Sequence, residues 1–278
     1  MAEILSGRLL AENIRAKAKA RIQKLAQPPG LAAILVGPDP ASHLYVSLKE
    51  EAAKDIGIYF EKFVYPANVS QDDLIKKIKK LNTRDDIHGV LVQLPLPAQD
   101  EDKVVNAIDP IKDIDGFHPE SRRRLQAGQP GLVPPVSLAS MRLIQASHQP
   151  LKDKSAVIIS NNPIFAEPLI ELMKETGITA QFLPSTESAL AAKTRAADII
   201  VVAVGQPDFI TKDMVKEGAI VIDIGTNKKD GETVGDVADD VQDVAGFLSP
   251  VPGGVGPLTV AYLIMNILKA ATLRAQSQ

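Results

Sequence analysis

Ser155-Ala156-Val157-Ile158-Ile159-Ser160-Asn161-Asn162-Pro163-Ile164-Phe165-Ala166-Glu167-Pro168 is the stretch that decides the fold. The short apolar run 156–159 reads as a buried strand, and the helical pattern resumes over 166–176. The same alternation continues downstream. Strands are expected at 178–183, 198–204 and 219–224, with helices at 189–197 and 211–217. Strands that alternate with helices pair in parallel through right-handed crossovers. Residues 136–255 are therefore expected to form a Rossmann-like, doubly wound parallel sheet.

Working outward, the amino-terminal half repeats the alternation. Leu9, Leu10, Ile14, Ala18, Ile22 and Leu25 recur at helical spacing, so 6–26 reads as a helix that Ser6 caps and Pro28-Pro29-Gly30 stops. Strands follow at 31–36, 59–65 and 90–94, and helices at 41–56 and 70–81. The stretch 109–135 has little periodicity and reads as a connecting region, followed by a helix through Leu138, Met141, Leu143 and Ile144. A last helix spans 257–272, with Pro257 in its first turn. The expectation is an α/β protein of two lobes with a cleft between them. One domain comprises 1–135 plus a returning helix in 256–278, and the other 136–255.

Composition narrows the function. The 278 residues suffice for roughly two domains at about 150 residues each. The absence of cysteine excludes disulfides, thiolate metal sites and a cysteine nucleophile. No histidines pair at metal-ligand spacing, so no metal is expected. A net charge of −3 gives no basic surface for nucleic acid, and Arg122-Arg123-Arg124 reads as a solvated loop, with contact to an acidic ligand tail as its other reading. The longest apolar tract, 255–268, falls short of a membrane span, and the N-terminus lacks a signal-peptide pattern. A cytoplasmic location is the default expectation.

Four segments can carry chemistry. Tyr45 and Lys49 lie four apart on the second helix and share a face, where a partly buried lysine becomes a useful base. Their other reading is a half-buried ring beside a solvated lysine. Gln93 ends a buried strand just before Pro95 and Pro97, at the carboxyl edge where open parallel sheets keep their ligands. A strand end capped by water reads the same way. Asp115, before Gly116, is placed to accept paired N–H groups from a heterocycle, or is a plain aspartate turn, and His118 reads as loop structure. Pro252-Gly253-Gly254-Val255-Gly256 precedes the last helix, where glycines allow close backbone approach.

Taken in order, these segments resemble the bifunctional methylenetetrahydrofolate dehydrogenase/cyclohydrolase family. The resemblance rests on Tyr45-x-x-x-Lys49, Gly89 through Pro97, Lys112 through Phe117, and Pro252 through Pro257. Pro38 through Ser42 and Asp223-Ile224-Gly225-Thr226-Asn227 extend it along nearly the whole chain. It implies oxidation of 5,10-methylenetetrahydrofolate with NADP, then hydrolysis of the methenyl product to 10-formyltetrahydrofolate. It implies that Lys49 handles protons and orients water, that Gln93 adjusts Lys49, that Tyr45 stacks on the folate ring and that Asp115 holds the pterin. Ser42, Pro252 and Gly253 join the folate side by the same resemblance, and a homodimer built through the second lobe is implied.

The coenzyme side departs from the family. Where the family has Gly-Arg-Ser-x-x-Val-Gly-x-Pro, this chain has Ser160, Asn161 and Asn162, with Ala166 at the second glycine. Ser185 survives from a Cys-His-Ser-x-Thr segment, and Thr226 replaces a usual isoleucine. Ser160, Asn161, Asn162, Ser185 and Thr226 are thus the candidate coenzyme contacts. Losing a charge-assisted phosphate contact costs about 1.5–3 kcal/mol, roughly 10- to 150-fold in affinity. The reading is a bifunctional enzyme using NADP, with weakened or lost binding and NAD left open. The alternatives are a cyclohydrolase whose dehydrogenase half has faded, and a folate-binding protein without activity.

Overall fold

The computed structural model describes residues 1–275. In chain order the elements are β1 (Glu3–Ile4), α1 (Gly7–Ile22), β2 (Gly30–Val36), α2 (Pro40–Asp55), β3 (Tyr59–Tyr65), α3 (Gln71–Asn82), β4 (Gly89–Val92), α4 (Glu101–Val105), α5 (Pro119–Gln126) and α6 (Pro135–Ala146). There follow β5 (Ser155–Ser160), α7 (Pro163–Glu175), β6 (Thr179–Leu183), α8 (Leu190–Ala196), β7 (Ile199–Ala203), β8 (Ile220–Asp223), β9 (Asn227–Lys229), β10 (Glu232–Val234), β11 (Phe247–Leu248) and α9 (Val255–Ala275). The chain divides into two compact units.

The three-stranded unit comprises Glu12–Pro135 and the chain from Val260 on. Its sheet has the order β3-β2-β4, and both pairings are parallel. Every residue of the central strand β2 is buried, as expected for a strand covered on both faces. Alternation divides its side chains. Leu31, Ala33 and Leu35 enter one core with Val46, Ile56, Ile114, Leu263 and Ile267. Ala32, Ile34 and Val36 enter the other with Leu74, Ile78, Leu81 and Val90. The α9 helix supplies Leu263, Ile264, Ile267 and Leu268 to the first of these cores.

The six-stranded unit comprises Met1–Ala11 and Val136–Thr259. Its strand order is β1-β11-β8-β7-β5-β6, all parallel. The order reverses between β5 and β7, which makes the carboxyl ends of these strands a switch point of the Rossmann type. The amino terminus belongs to this unit because β1 pairs with β11 in register Glu3 to Phe247. The short β9–β10 pair forms a separate antiparallel ribbon.

Several local expectations are corrected. Arg122, Arg123 and Arg124 are not a solvated loop but part of α5, where Arg123 and Arg124 both pair with Glu120 at 2.7 and 2.8 Å. His118 has a defined role, because its Nδ1 accepts the Glu120 N–H and caps that helix. The stretch 211–217 forms only a 3-10 turn at Lys212–Met214. Val215 takes extended backbone angles, φ −113° and ψ 133°, which ends the turn after Met214. The α7 helix starts at Pro163, three residues before the expected 166, because Asn162 caps it and proline suits the first helical position. The apolar carboxyl-terminal tract is also longer than expected. The 21-residue α9 is, by length and composition, apolar enough to cross a membrane, and half of it is buried inside the protein.

Candidate active site

The α2 helix is fixed at its start by Asp39, whose carboxylate accepts the Ser42 N–H at 2.8 Å, with Pro40 at the first helical position. Ser42, Val46, Ala52 and Ala53 are buried and orient the helix against its sheet. Tyr45 is 38% exposed, one turn ahead of the half-buried Lys49.

The Nζ of Lys49 donates to Oε1 of Gln93 at 3.1 Å. The Gln93 N–H continues the parallel ladder to the Ile34 carbonyl at 2.9 Å, so the residue extends β4 by one position. Its side-chain Nε2 donates to the Leu94 carbonyl at 2.8 Å. Both ends of the glutamine amide are therefore engaged. The prolines of the following turn take the chain out of the sheet, and the Leu94–Pro95 peptide is cis.

Asp115 is placed by its neighbours. Residue 113 bridges Val90 in parallel, and the Val90 N–H donates to the Lys112 carbonyl at 2.8 Å, so this loop runs beside β4. Lys112 is buried, and its Nζ donates to the Leu81 and Arg84 carbonyls at 2.9 and 2.6 Å. Burial, with Arg274 adding repulsion, pulls the Lys112 ammonium down to about 8. Asp113 accepts the His118 N–H at 2.8 Å and the Ser121 hydroxyl at 3.1 Å. On the other side, Nδ2 of Asn266 donates to the Ile114 and Val133 carbonyls, both at 2.8 Å. Gly116 takes φ +71°, and a Cβ there would lie 2.6 Å from the Pro134 nitrogen, so only glycine fits this turn.

Burial raises the Asp115 carboxyl, and the Lys49 ammonium opposes that shift. The Asp113 carboxyl is pushed up to about 7, mainly by burial, with the Asp115 charge adding to the shift and the His118 N–H opposing it. The structure thus brings Lys49, Gln93 and Asp115 together within the three-stranded unit. A donor-only ammonium, an amide acceptor and a carboxylate of raised pKa can hold and relay a proton beside a bound heterocycle.

The six-stranded unit carries the other candidates. Ser160 ends β5, Ser185 follows β6 and Thr226 follows β8, all at carboxyl ends of parallel strands. Asn161 and Ser185 meet directly, the serine hydroxyl donating to Asn161 Oδ1 at 2.5 Å. Ser160 and Asn162 meet as well, the Asn162 N–H donating to Ser160 Oγ at 3.0 Å. Thr226 is exposed. Pro252 and Gly253 follow a cis Val251–Pro252 peptide, and the Gly253 carbonyl accepts the Gly7 N–H at 2.9 Å.

Sequence reasoning missed a pair of buried carboxylates at the same strand ends. Asp236 accepts the N–H groups of Val204, Gly205 and Gln206 at 2.7, 3.1 and 2.8 Å, and the Asn227 amide at 2.9 Å. Asp223 accepts from Gly225, Asp236 and Val237 at 2.9 to 3.0 Å. Burial, together with the Asp236 charge, pushes the Asp223 carboxyl up to about 6. A Cβ at Gly235 would lie 1.8 Å from Asp223 Oδ2, and one at Gly225 would lie 2.3 Å from Asp236 Oδ1, so the glycines at these two positions are the available sequence signal. This pair fixes the loops after β7 and β8. Its strand-end geometry suits a dinucleotide, whereas the β5–α7 turn shows no arginine for a phosphate.

The tetrahydrofolate dehydrogenase/cyclohydrolase catalytic domain matches residues 5–115, and the NAD(P)-binding domain of the same family matches 134–275. The bifunctional protein FolD of Cupriavidus metallidurans is 43% identical over 99% of this chain and 98% of its own length. That of Burkholderia pseudomallei is 45% identical over 97% of each chain. Among solved structures, the bifunctional enzyme from Campylobacter jejuni superposes with a TM-score of 0.94 at 38% identity, covering 99% of this chain and 100% of that one. The Trypanosoma brucei enzyme, complexed with NADP cofactor and inhibitor, gives 0.93 at 32% identity, covering 99% of each.

Proposed function

Because the chain belongs to the tetrahydrofolate dehydrogenase/cyclohydrolase family, we propose that it oxidises 5,10-methylenetetrahydrofolate and hydrolyses the resulting methenyl cation to 10-formyltetrahydrofolate. The observation that carries this reading is the Lys49–Gln93 hydrogen bond beside Asp115. NADP is the coenzyme, and when bound it supplies the hydride acceptor for the first step.

Every other role falls to the chain's own residues. Lys49 Nζ orients the water that adds to the methenyl carbon; it first gives one of its own protons to solvent and then takes, on the freed lone pair, the proton that this water releases. Gln93 holds Lys49 by accepting one of its three N–H bonds, leaving the others for water and substrate. Asp115 accepts N–H groups of the pterin, and its charge offsets the cationic methenyl group that would otherwise oppose an ammonium nearby. The exposed ring of Tyr45, one helical turn from Lys49, offers a face for the folate aromatic ring. Ser42, Pro252 and Gly253 are assigned to folate binding by resemblance.

The same resemblance supports a homodimer built through the six-stranded unit, where β6 is an unpaired sheet edge, and a cytoplasmic location. The testing experiment assays the two reactions separately on the purified chain. Hydrolysis of methenyltetrahydrofolate without dinucleotide, and NADP-dependent oxidation of methylenetetrahydrofolate, are the expected results. Failure of both, with folate bound, would leave only a folate-binding protein.

A further inference from the structure

We propose that the β5–α7 turn does not grip the coenzyme's phosphates, so that the six-stranded unit binds NADP no better than NAD. This inference rests on the coenzyme role proposed above. A Rossmann turn normally offers free backbone N–H groups at a helix start to the diphosphate, and a nearby arginine to a 2′-phosphate. Here those donors are already taken. Pro163, at the first helical position, has no N–H. The Ile164 N–H donates to Asn162 Oδ1 at 2.9 Å, and the Phe165 N–H to the Asn162 carbonyl at 3.2 Å. The Asn162 N–H donates to Ser160 Oγ. No residue between 160 and 163 has a positive φ, so the capped turn is unstrained in this form.

The 2′ end is equally closed and neutral. Asn161 stands where a phosphate-binding cation would be useful, and both ends of its amide are engaged. Its Nδ2 donates to the Val204 carbonyl at 3.3 Å and its Oδ1 accepts from Ser185. After β6 the next cation in the chain, Lys193, pairs with Glu187 at 3.0 Å. The turn therefore holds neither an arginine that would select a 2′-phosphate nor a carboxylate free to select a ribose hydroxyl. Displacing the Asn162 cap weakens both dinucleotides alike, because the diphosphate is common to them. Only a cation at the 2′ position would separate them, by about 10- to 150-fold.

The test is calorimetric titration of NADP and of NAD into the full chain at one ionic strength. Affinities within 10-fold of each other are the expected result, and no measurable binding of either up to millimolar concentration would overturn the proposal together with the coenzyme role on which it rests. A preference of 10-fold or more in either direction overturns the proposal. The paired variant Ser160→Gly/Asn161→Arg supplies a cation and opens the turn. It should raise the affinity for NADP at least 10-fold more than that for NAD, because the opened turn serves both and the cation only NADP. An unchanged NADP-to-NAD ratio in a folded variant would also overturn the assignment to this turn. If the variant fails to fold, the parent titrations alone decide. Methenyltetrahydrofolate hydrolysis without dinucleotide, measured on the same samples, reports separately on the folate reading.

Discussion

Lys49 and Gln93 are joined by a 3.1 Å hydrogen bond that fixes which way the glutamine amide faces. An ammonium can only donate, so Oε1 must point toward Lys49, which leaves Nε2 for the Leu94 carbonyl. Gln93→Leu keeps the volume and removes the acceptor. Hydrogen bonds to charged groups are worth about 1.5–3 kcal/mol. Methenyltetrahydrofolate hydrolysis should therefore fall about 10-fold or more, with little change in melting temperature. A stopped-flow assay beside a thermal melt checks both.

The loop that carries Asp115 is held from beneath by Asn266 through the Ile114 and Val133 carbonyls. Asn266→Leu leaves two carbonyls without this donor. A stability loss of about 1–3 kcal/mol is expected, together with weaker folate binding as Asp115 loses its placement. Urea denaturation and a folate-analogue titration measure the two effects.

Asp113 gives the three-stranded unit a pH dependence with a definite sign. Its folded carboxyl titrates at about 7, against 3.8 for the free group. Between those values the folded chain holds a proton that the unfolded chain has released. This contribution to stability is fully present below pH 3.8 and is lost as pH rises toward 7. Asp113→Asn removes the titration and relieves the neighbouring Asp115. Relative to the parent, the variant's melting temperature should gain a few degrees between pH 4 and pH 8. Melts at both values check this, and a constant difference would contradict it.

Asp236 gathers three consecutive backbone N–H groups and the Asn227 amide. Asp236→Ala removes the acceptor that all four partly buried donors share. A loss of about 3 kcal/mol or more is expected, and Asp236→Asn, which keeps an acceptor, should lose less. Chemical denaturation of the two variants orders them.

The architecture was largely legible because it is written in short-range patterns. The apolar β2 run, the apolar centre of β5 at 156–159, and the four-residue step from Tyr45 to Lys49 are local signals. The prolines after Gln93 mark the end of β4 in the same way. What the sequence concealed lies in contacts between distant positions. Asn266 is 152 residues from Ile114, and no pattern near either announces their bond. The Asp223–Asp236 pair is built from backbone donors, which every residue carries, so beyond the glycines at 225 and 235 its residue types give little warning. The arginines at 122–124 misled for another reason. A run of like charges suggests a solvated loop, yet Glu120, one helical turn earlier, neutralises two of them within α5. The coenzyme turn was flagged by its missing glycines, but that its amides are occupied by Ser160 and Asn162 became visible only in three dimensions.

In the proposed function, Lys49 performs the folate chemistry. Its most direct test is the steady-state rate of methenyltetrahydrofolate hydrolysis by Lys49→Met, with folate affinity measured on the same protein. A fall of about 100-fold or more is expected, with folate affinity within about 3-fold of the parent. Turnover close to that of the parent, with folate still bound, would contradict it.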